Sequence, residues 1–123
     1  MNKFFGKELI LDIHNCDLPV TRDKLKNYLD ELCKLIDMNQ EDLHFWDFEG
    51  CPEEYDKAQP HLKGISVIQF ITTSNITIHT LDVLGKVFIN IFSCKNFDTY
   101  KAATFSEKFF GGNALNVKIV NRL

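Results

Sequence analysis

The segment from Gly64 to Cys94 constrains the fold more than any other part of the chain. It is rich in β-branched residues, as is typical of strands in a sheet. The polar run Thr72–Asn75 interrupts it at what we expect to be a tight connection. The segment therefore predicts three neighbouring strands, over Gly64–Ile71, Ile76–Thr80 and Lys86–Cys94.

The remaining sequence predicts two amphipathic helices and three more strands. Thr21 is a favourable N-cap for a helix that runs to about Met38, in which apolar residues recur at helical spacing. Asp98 caps a second helix, and Gly111 and Gly112 end it. The further strands are expected at Phe4–Ile13, Leu43–Phe48 and Leu115–Val120.

The order of these elements, β-α-β-β-β-β-α-β, indicates an α+β fold in which both helices cover one face of an antiparallel sheet. The acidic run Glu49–Asp56 between two strands is predicted to be a solvated loop. A sheet of this kind leaves its second face to be covered by water or by a second copy of the chain.

Length and composition exclude several classes of protein. The 123 residues predict a single domain, and a net charge of −3 provides no basic field for nucleic acid. No apolar run is long enough to cross a membrane, and we expect no signal peptide. Four cysteines without a C-x-x-C pair favour a reducing, cytoplasmic environment.

No residue taken alone identifies a reaction. A serine in a turn, a histidine on a strand and a cysteine at a strand end are usually structural. The sequence lacks the common phosphate-binding, nucleophile-elbow and zinc-protease motifs. The spacing of its histidines and cysteines fits no standard metal site, so no metal is expected.

Three runs carry more information together than separately. They are Gly64-Ile65-Ser66-Val67, then Thr73 to Val83 with Ser74 and His79, then Asn90 to Cys94. In residue type and spacing they resemble the runs G-V-S-G, E-S-H-(I/L)-(S/T)-I-H-T-W-P-E and (D)-(V/L)-(F/Y)-T-C of the prokaryotic S-adenosylmethionine decarboxylases. The intervals between serine, histidine and cysteine match without a gap, and the resemblance covers most of the chain.

The resemblance implies a self-processing decarboxylase of polyamine and spermidine biosynthesis. In such a protein the chain is cut between Thr73 and Ser74, and Ser74 becomes a pyruvoyl group that forms a Schiff base with the substrate amine. The resemblance assigns Ser66 and His79 to this processing step. It assigns Cys94 to the protonation of the substrate carbanion after carbon dioxide leaves. No metal or diffusible cofactor is implied.

The sequence departs from the family around the expected substrate pocket. Thr73 and Asn75 stand where the family has glutamate and histidine. Leu81-Asp82-Val83 replaces Trp-Pro-Glu, whose tryptophan stacks on adenine and whose glutamate holds the ribose in the family. The stretch Asp56–Lys63 also lacks the family's second stacking aromatic. These changes favour a smaller substrate such as arginine or ornithine, with Asp82 as a hypothetical partner for its side-chain cation.

Three functions remain open from the sequence. The first is a pyruvoyl-dependent decarboxylase acting on S-adenosylmethionine or on a smaller amino acid. The second is an unprocessed, inactive homologue that serves as a regulatory or binding subunit, and the third is a plain α+β binding module. The first implies, by resemblance, a homodimer in which two protomers pack face to face as a four-layer sandwich and both contribute residues to each active site.

Overall fold

The computed structural model describes residues 4–123, which contain six strands and three α-helices. In chain order they are β1 Gly6–His14, α1 Arg22–Leu35, β2 Gln40–Trp46, α2 Pro52–Lys57, β3 Ser66–Ile71, β4 Ser74–Leu81, β5 Lys86–Ser93, α3 Thr99–Phe110 and β6 Asn113–Arg122. The strands form one antiparallel sheet in the order β2-β3-β4-β5-β1-β6. The predicted α+β class is confirmed.

Both long helices pack on the same face of this sheet, as predicted. α1 begins after Thr21, whose hydroxyl accepts a hydrogen bond from the backbone N–H of Lys24 at 3.1 Å. It buries Leu25, Leu29 and Leu32 completely. Burial of each such side chain stabilises the fold by roughly 1.5–3 kcal/mol, so this apolar stripe fixes the helix on the sheet.

Tyr28 joins the two long helices. It is fully buried, and its hydroxyl is 2.6 Å from the Ser106 hydroxyl on α3. The ring lies against three aromatic rings of α3, and burial raises the pKa of its hydroxyl. The helices are thereby held to each other as well as to the sheet. The three rings are those of Phe105, Phe109 and Phe110.

The connection between β2 and β3 is where the sequence prediction is wrong. The predicted loop Glu49–Asp56 contains most of α2, and a 3-10 turn follows at Pro60–Leu62. Pro52 suits the first turn of a helix because its missing N–H is not needed there, and acidic residues follow it at the positive end of the helix. This signal was available in the sequence. The fold therefore has three helices rather than two.

Two side-chain contacts fix this connection against the body of the protein. Arg22 of α1 donates two hydrogen bonds to Asp47, at 2.6 and 2.7 Å, and also pairs with Glu49. The Tyr55 hydroxyl of α2 donates to the Asp82 carboxylate at 3.1 Å. The connection is therefore anchored at its start and at its middle, close to the ends of β3 and β4.

The opposite face of the sheet, called the open face below, is not covered by α1 or α3. Along each strand the side chains alternate between the core and the open face. The apolar side chains of Ile68 and Phe70 lie on the open face and remain 41% and 43% exposed. The charged residue Glu8 on this face accepts hydrogen bonds from Asn90 and Arg122 at 2.7 and 2.9 Å. No helix among residues 4–123 is long and apolar enough to span a membrane.

Candidate active site

The turn between β3 and β4 places Ser74 at the start of a strand. Ile71 and Ser74 are paired across the hairpin, so only Thr72 and Thr73 form the turn. The predicted connection Thr72–Asn75 is therefore two residues shorter, because Ser74 and Asn75 already belong to the ladder. Thr73 lies in the left-handed region with φ 59°, and the Ser74 side chain is buried at 8% exposure.

The end of β5 meets this turn. The backbone N–H of Cys94 donates to the Ser74 hydroxyl oxygen at 3.1 Å. The Cys94 thiol lies 3.7 Å from the carbonyl oxygen of Thr73 and donates to it. Thr73, Ser74 and Cys94, three of the residues singled out in the sequence, therefore form one cluster. It places a hydroxyl next to the carbonyl that precedes it, with two donors to orient and polarise the pair.

Ser66 and His79 form a second cluster. They are paired across β3 and β4, and the Ser66 hydroxyl lies 2.8 Å from Nδ1 of His79. The His79 ring stacks on the Phe88 ring of β5 with centroids 6.5 Å apart. Both side chains lie on the open face, which makes the imidazole accessible to a group outside its own chain. A serine hydroxyl bonded to an imidazole can accept and donate protons.

The two clusters lie at opposite ends of the same hairpin. Four residues of extended strand lie between Ser74 and His79, and the five steps from one to the other span about 16 Å at 3.3 Å per residue. Their side chains also point to opposite faces, since Ser74 lies on the core side and His79 on the open face. Within one chain the four residues expected to act together are thus divided into two groups.

The run Leu81-Asp82-Val83 follows at the far end of β4. The Leu81 side chain is half-buried, whereas Val83 is 53% exposed. Burial raises the pKa of Asp82, and the hydrogen bond from Tyr55 opposes this shift. Asp82 lines a cavity of about 310 Å³ under the β2–β3 connection, together with Phe48. The Oδ2 atom of its carboxylate is bonded to Tyr55 of α2, whereas Oδ1 is buried without a hydrogen-bond partner among residues 4–123.

Sequence reasoning missed Trp46. This tryptophan ends β2, is paired in the sheet with Ser66, and is 84% exposed. A cavity of about 450 Å³ contains its ring together with the Ser66–His79 pair and Glu54. The resemblance places an aromatic in the run before Gly64, but strand pairing brings one from β2 instead. The signal in the sequence was a single tryptophan on a predicted strand, which is too little to place it.

No group of three or more histidine, cysteine or acidic side chains suited to holding a metal ion occurs within residues 4–123.

The fold matches that of a solved enzyme. The crystal structure of the adenosylmethionine decarboxylase from Aquifex aeolicus VF5 superposes with a TM-score of 0.70, over 98% of this chain and 92% of that one. The two sequences are 18% identical, so this likeness establishes the architecture. The sheet with its helices on one face is thus the fold of a known class of decarboxylases.

Sequence comparison establishes the family. The family described as S-adenosylmethionine decarboxylase matches residues 7–123. The S-adenosylmethionine decarboxylase proenzyme of Sulfurisphaera tokodaii is 26% identical over 103 residues, which cover 81% of this chain and 74% of that protein. The chain belongs to the S-adenosylmethionine decarboxylase family. Its members are pyruvoyl-dependent carboxy-lyases that make the pyruvoyl group from a serine of a proenzyme and need no metal.

Proposed function

We propose that this chain is a proenzyme that cleaves itself between Thr73 and Ser74 and then decarboxylates S-adenosylmethionine. The observation that carries the proposal is the cluster at the hairpin turn. The Ser74 hydroxyl is buried and held by the Cys94 N–H, while the Cys94 thiol donates to the carbonyl of Thr73. The nucleophile, the scissile carbonyl and a donor to that carbonyl are therefore neighbours before any cofactor exists.

The cleavage proceeds in three balanced steps. The Ser74 oxygen forms a bond to the Thr73 carbonyl carbon, the C–N bond breaks, and the hydroxyl proton ends on the freed amine, which leaves an ester. A base then removes the α-proton of residue 74, and the ester oxygen leaves as the carboxylate of Thr73. The remaining dehydroalanine tautomerises to an imine, and water hydrolyses it to the ketone with release of ammonia. No oxidant or reductant is needed.

The residues around position 74 fit a pyruvoyl group. Cys94 supplies a backbone N–H and a thiol on the two sides of the Thr73–Ser74 bond. When present, the group supplies a ketone that condenses with the substrate amine and withdraws electrons from the carbon that carries the carboxylate. The Cys94 thiol holds an exchangeable proton next to this position, which suits it to return a proton to that carbon.

The second cluster reaches the first through a second copy of the chain. About 16 Å of strand separates Ser66 and His79 from Ser74 within one protomer. Consider two protomers whose open faces pack together around a two-fold axis that lies between the sheets. If the axis is perpendicular to β4 and level with its middle, the Ser74 end of one protomer lies opposite the His79 end of the other. In this arrangement each Thr73–Ser74 bond is served by the partner's serine–histidine pair.

The chemistry of the open face suits such packing. Ile68 and Phe70 offer apolar surface. The acidic Glu8 and Asp12 are already bonded within the chain, the latter by Asn116 at 2.9 Å. Covering the face would thus bury apolar area without leaving these two carboxylates unpaired.

Trp46 favours S-adenosylmethionine over a smaller amino acid. Its exposed indole provides an aromatic surface in the cavity that contains the Ser66–His79 pair, and a purine stacks well on such a surface. Glu54 in the same cavity is a carboxylate that can accept hydrogen bonds from ribose hydroxyls. By contrast Asp82, the hypothetical partner of a smaller substrate's cation, bonds Tyr55 through Oδ2, and its other oxygen, Oδ1, is buried away from the surface.

Intact mass under denaturing and reducing conditions tests the cleavage. The wild-type chain should give two fragments, 1–73 and 74–123, the second with a blocked amino terminus. Ser74→Ala should remain a single 14.3 kDa species. Carbon dioxide release from carboxyl-labelled S-adenosylmethionine, arginine and ornithine, measured side by side, then identifies the substrate. An uncut wild-type chain would favour the inactive regulatory homologue, and release from arginine or ornithine alone would overturn the substrate assignment.

A further inference from the structure

Thr73 holds a backbone conformation that its side chain disfavours. Among the residues of 4–123 other than glycine, three have positive φ: Asn15 at 58°, Asp37 at 57° and Thr73 at 59°. Asparagine and aspartate tolerate this region, whereas a β-branched residue there is a true outlier. The one strained residue of the three is therefore also the one whose carbonyl is attacked in the proposed cleavage.

We propose that the strain held at Thr73 accelerates cleavage of the Thr73–Ser74 bond. This inference rests on the proposed self-processing and concerns its rate. The strain raises the free energy of the intact chain and is released as the peptide becomes an ester. Energy stored in the ground state and lost on the way to the transition state lowers the barrier.

The geometry of the hairpin explains why the strain persists before cleavage. Pairing of Ile71 with Ser74 fixes both ends of a two-residue turn, so Thr73 cannot rotate without breaking the ladder. The Cys94 N–H on the Ser74 hydroxyl adds a second restraint. Transfer of the carbonyl from nitrogen to Oγ lengthens the link between Thr73 and the Ser74 Cα by one atom. The longer link lets φ of residue 73 relax while the strands stay paired.

The Thr73 side chain has no direct part in this chemistry. Its hydroxyl donates to the carbonyl of Thr72 at 2.8 Å, which is a contact within the turn. The neighbouring donors to the reacting atoms both come from Cys94. The contribution of Thr73 is therefore its β-branched shape at positive φ, which valine shares and glycine does not.

The test compares cleavage rates of freshly translated chains. Wild type, Thr73→Gly, Thr73→Asn and Thr73→Val are made in a cell-free system, and the appearance of fragment 74–123 is followed by mass after translation is stopped. Release of the left-handed strain should slow Thr73→Gly by about 5–30-fold. Thr73→Asn should be slowed less, because asparagine tolerates the region only in part. Thr73→Val should match the wild type because it retains the strain.

A second measurement separates strain from misfolding. In the uncleavable Ser74→Ala background, Thr73→Asn should melt at a temperature equal to or above that of the Thr73 parent, because a strained residue has been replaced by a tolerant one. Slower cleavage together with unimpaired stability supports the inference. Equal or faster cleavage of Thr73→Gly and Thr73→Asn in folded chains overturns it while leaving self-processing intact. A wild-type chain that is never cut overturns both.

Discussion

Mixing two defective chains should restore cleavage if each site draws on both protomers. Ser74→Ala removes the nucleophile and His79→Ala removes the imidazole, so neither chain alone should be cut at the normal rate. In a mixed dimer, the Ser74→Ala chain supplies an intact Ser66–His79 pair to the Ser74 of its partner. Random pairing at equal amounts places about half of the His79→Ala chains in mixed dimers, so about half of them should be cleaved.

The experiment uses co-expressed chains with two different tags, and mass spectrometry then reports which chain is cut. Only the His79→Ala chain should give fragments, since the other lacks the hydroxyl. A pair of Ser66→Ala and His79→Ala chains is the matched control and should stay uncut, because each offers its partner a damaged pair. Rapid cleavage of His79→Ala by itself, or uncut chains in purified mixed dimers, would refute the reasoning from the 16 Å separation.

Three further outcomes follow from single contacts. Trp46→Ala should raise KM for S-adenosylmethionine by roughly 5–150-fold, the range for loss of one base–aromatic stack, while fragment formation stays normal. Arg22→Ala should lower the free energy of unfolding, measured by denaturant titration at pH 7, by about 2 kcal/mol. Arg22 lowers the pKa of Asp47, so the Asp47 carboxylate loses this interaction when it is protonated. The difference between variant and wild type should therefore shrink as pH falls below about 4. Tyr28→Phe should cost about 1 kcal/mol by the same assay, since Ser106 retains its bond to Ala102.

The sheet and its long helices could be predicted because their signals are local and repeated. The β-branched runs after Gly64 and the caps Thr21 and Asp98 each specify an element without reference to the rest of the chain. The strand ends were less certain, as at Ser74, which the sequence placed in the turn and hydrogen bonding places in β4. The short helix Pro52–Lys57 is not predicted because its sequence signal is confined to the proline and acidic residues of its first turn, and six residues contain too few periodic positions to support that signal.

The candidate site could be predicted as residue identities but not as an arrangement. Intervals in the sequence single out Ser66, Ser74, His79 and Cys94. They do not show that the length of β4 holds the Ser66–His79 pair about 16 Å from Ser74 and Cys94. Trp46 enters the site through its pairing with Ser66, a contact between residues twenty positions apart. Such contacts depend on which strands become neighbours, and alternation alone does not give that order.

The two substitutions beside Ser74 should affect different steps. Every residue at position 73 supplies a carbonyl, so threonine in place of glutamate leaves the reacting atoms unchanged and alters the strain instead. Asn75 lies on the open face, where it lines a cavity of about 560 Å³ with Glu8 and Arg122. Asn75→His should therefore leave the cleavage rate unchanged and shift dimer affinity or KM, measured by sedimentation and by carbon dioxide release. A change in cleavage with neither of these would place residue 75 with the processing machinery instead.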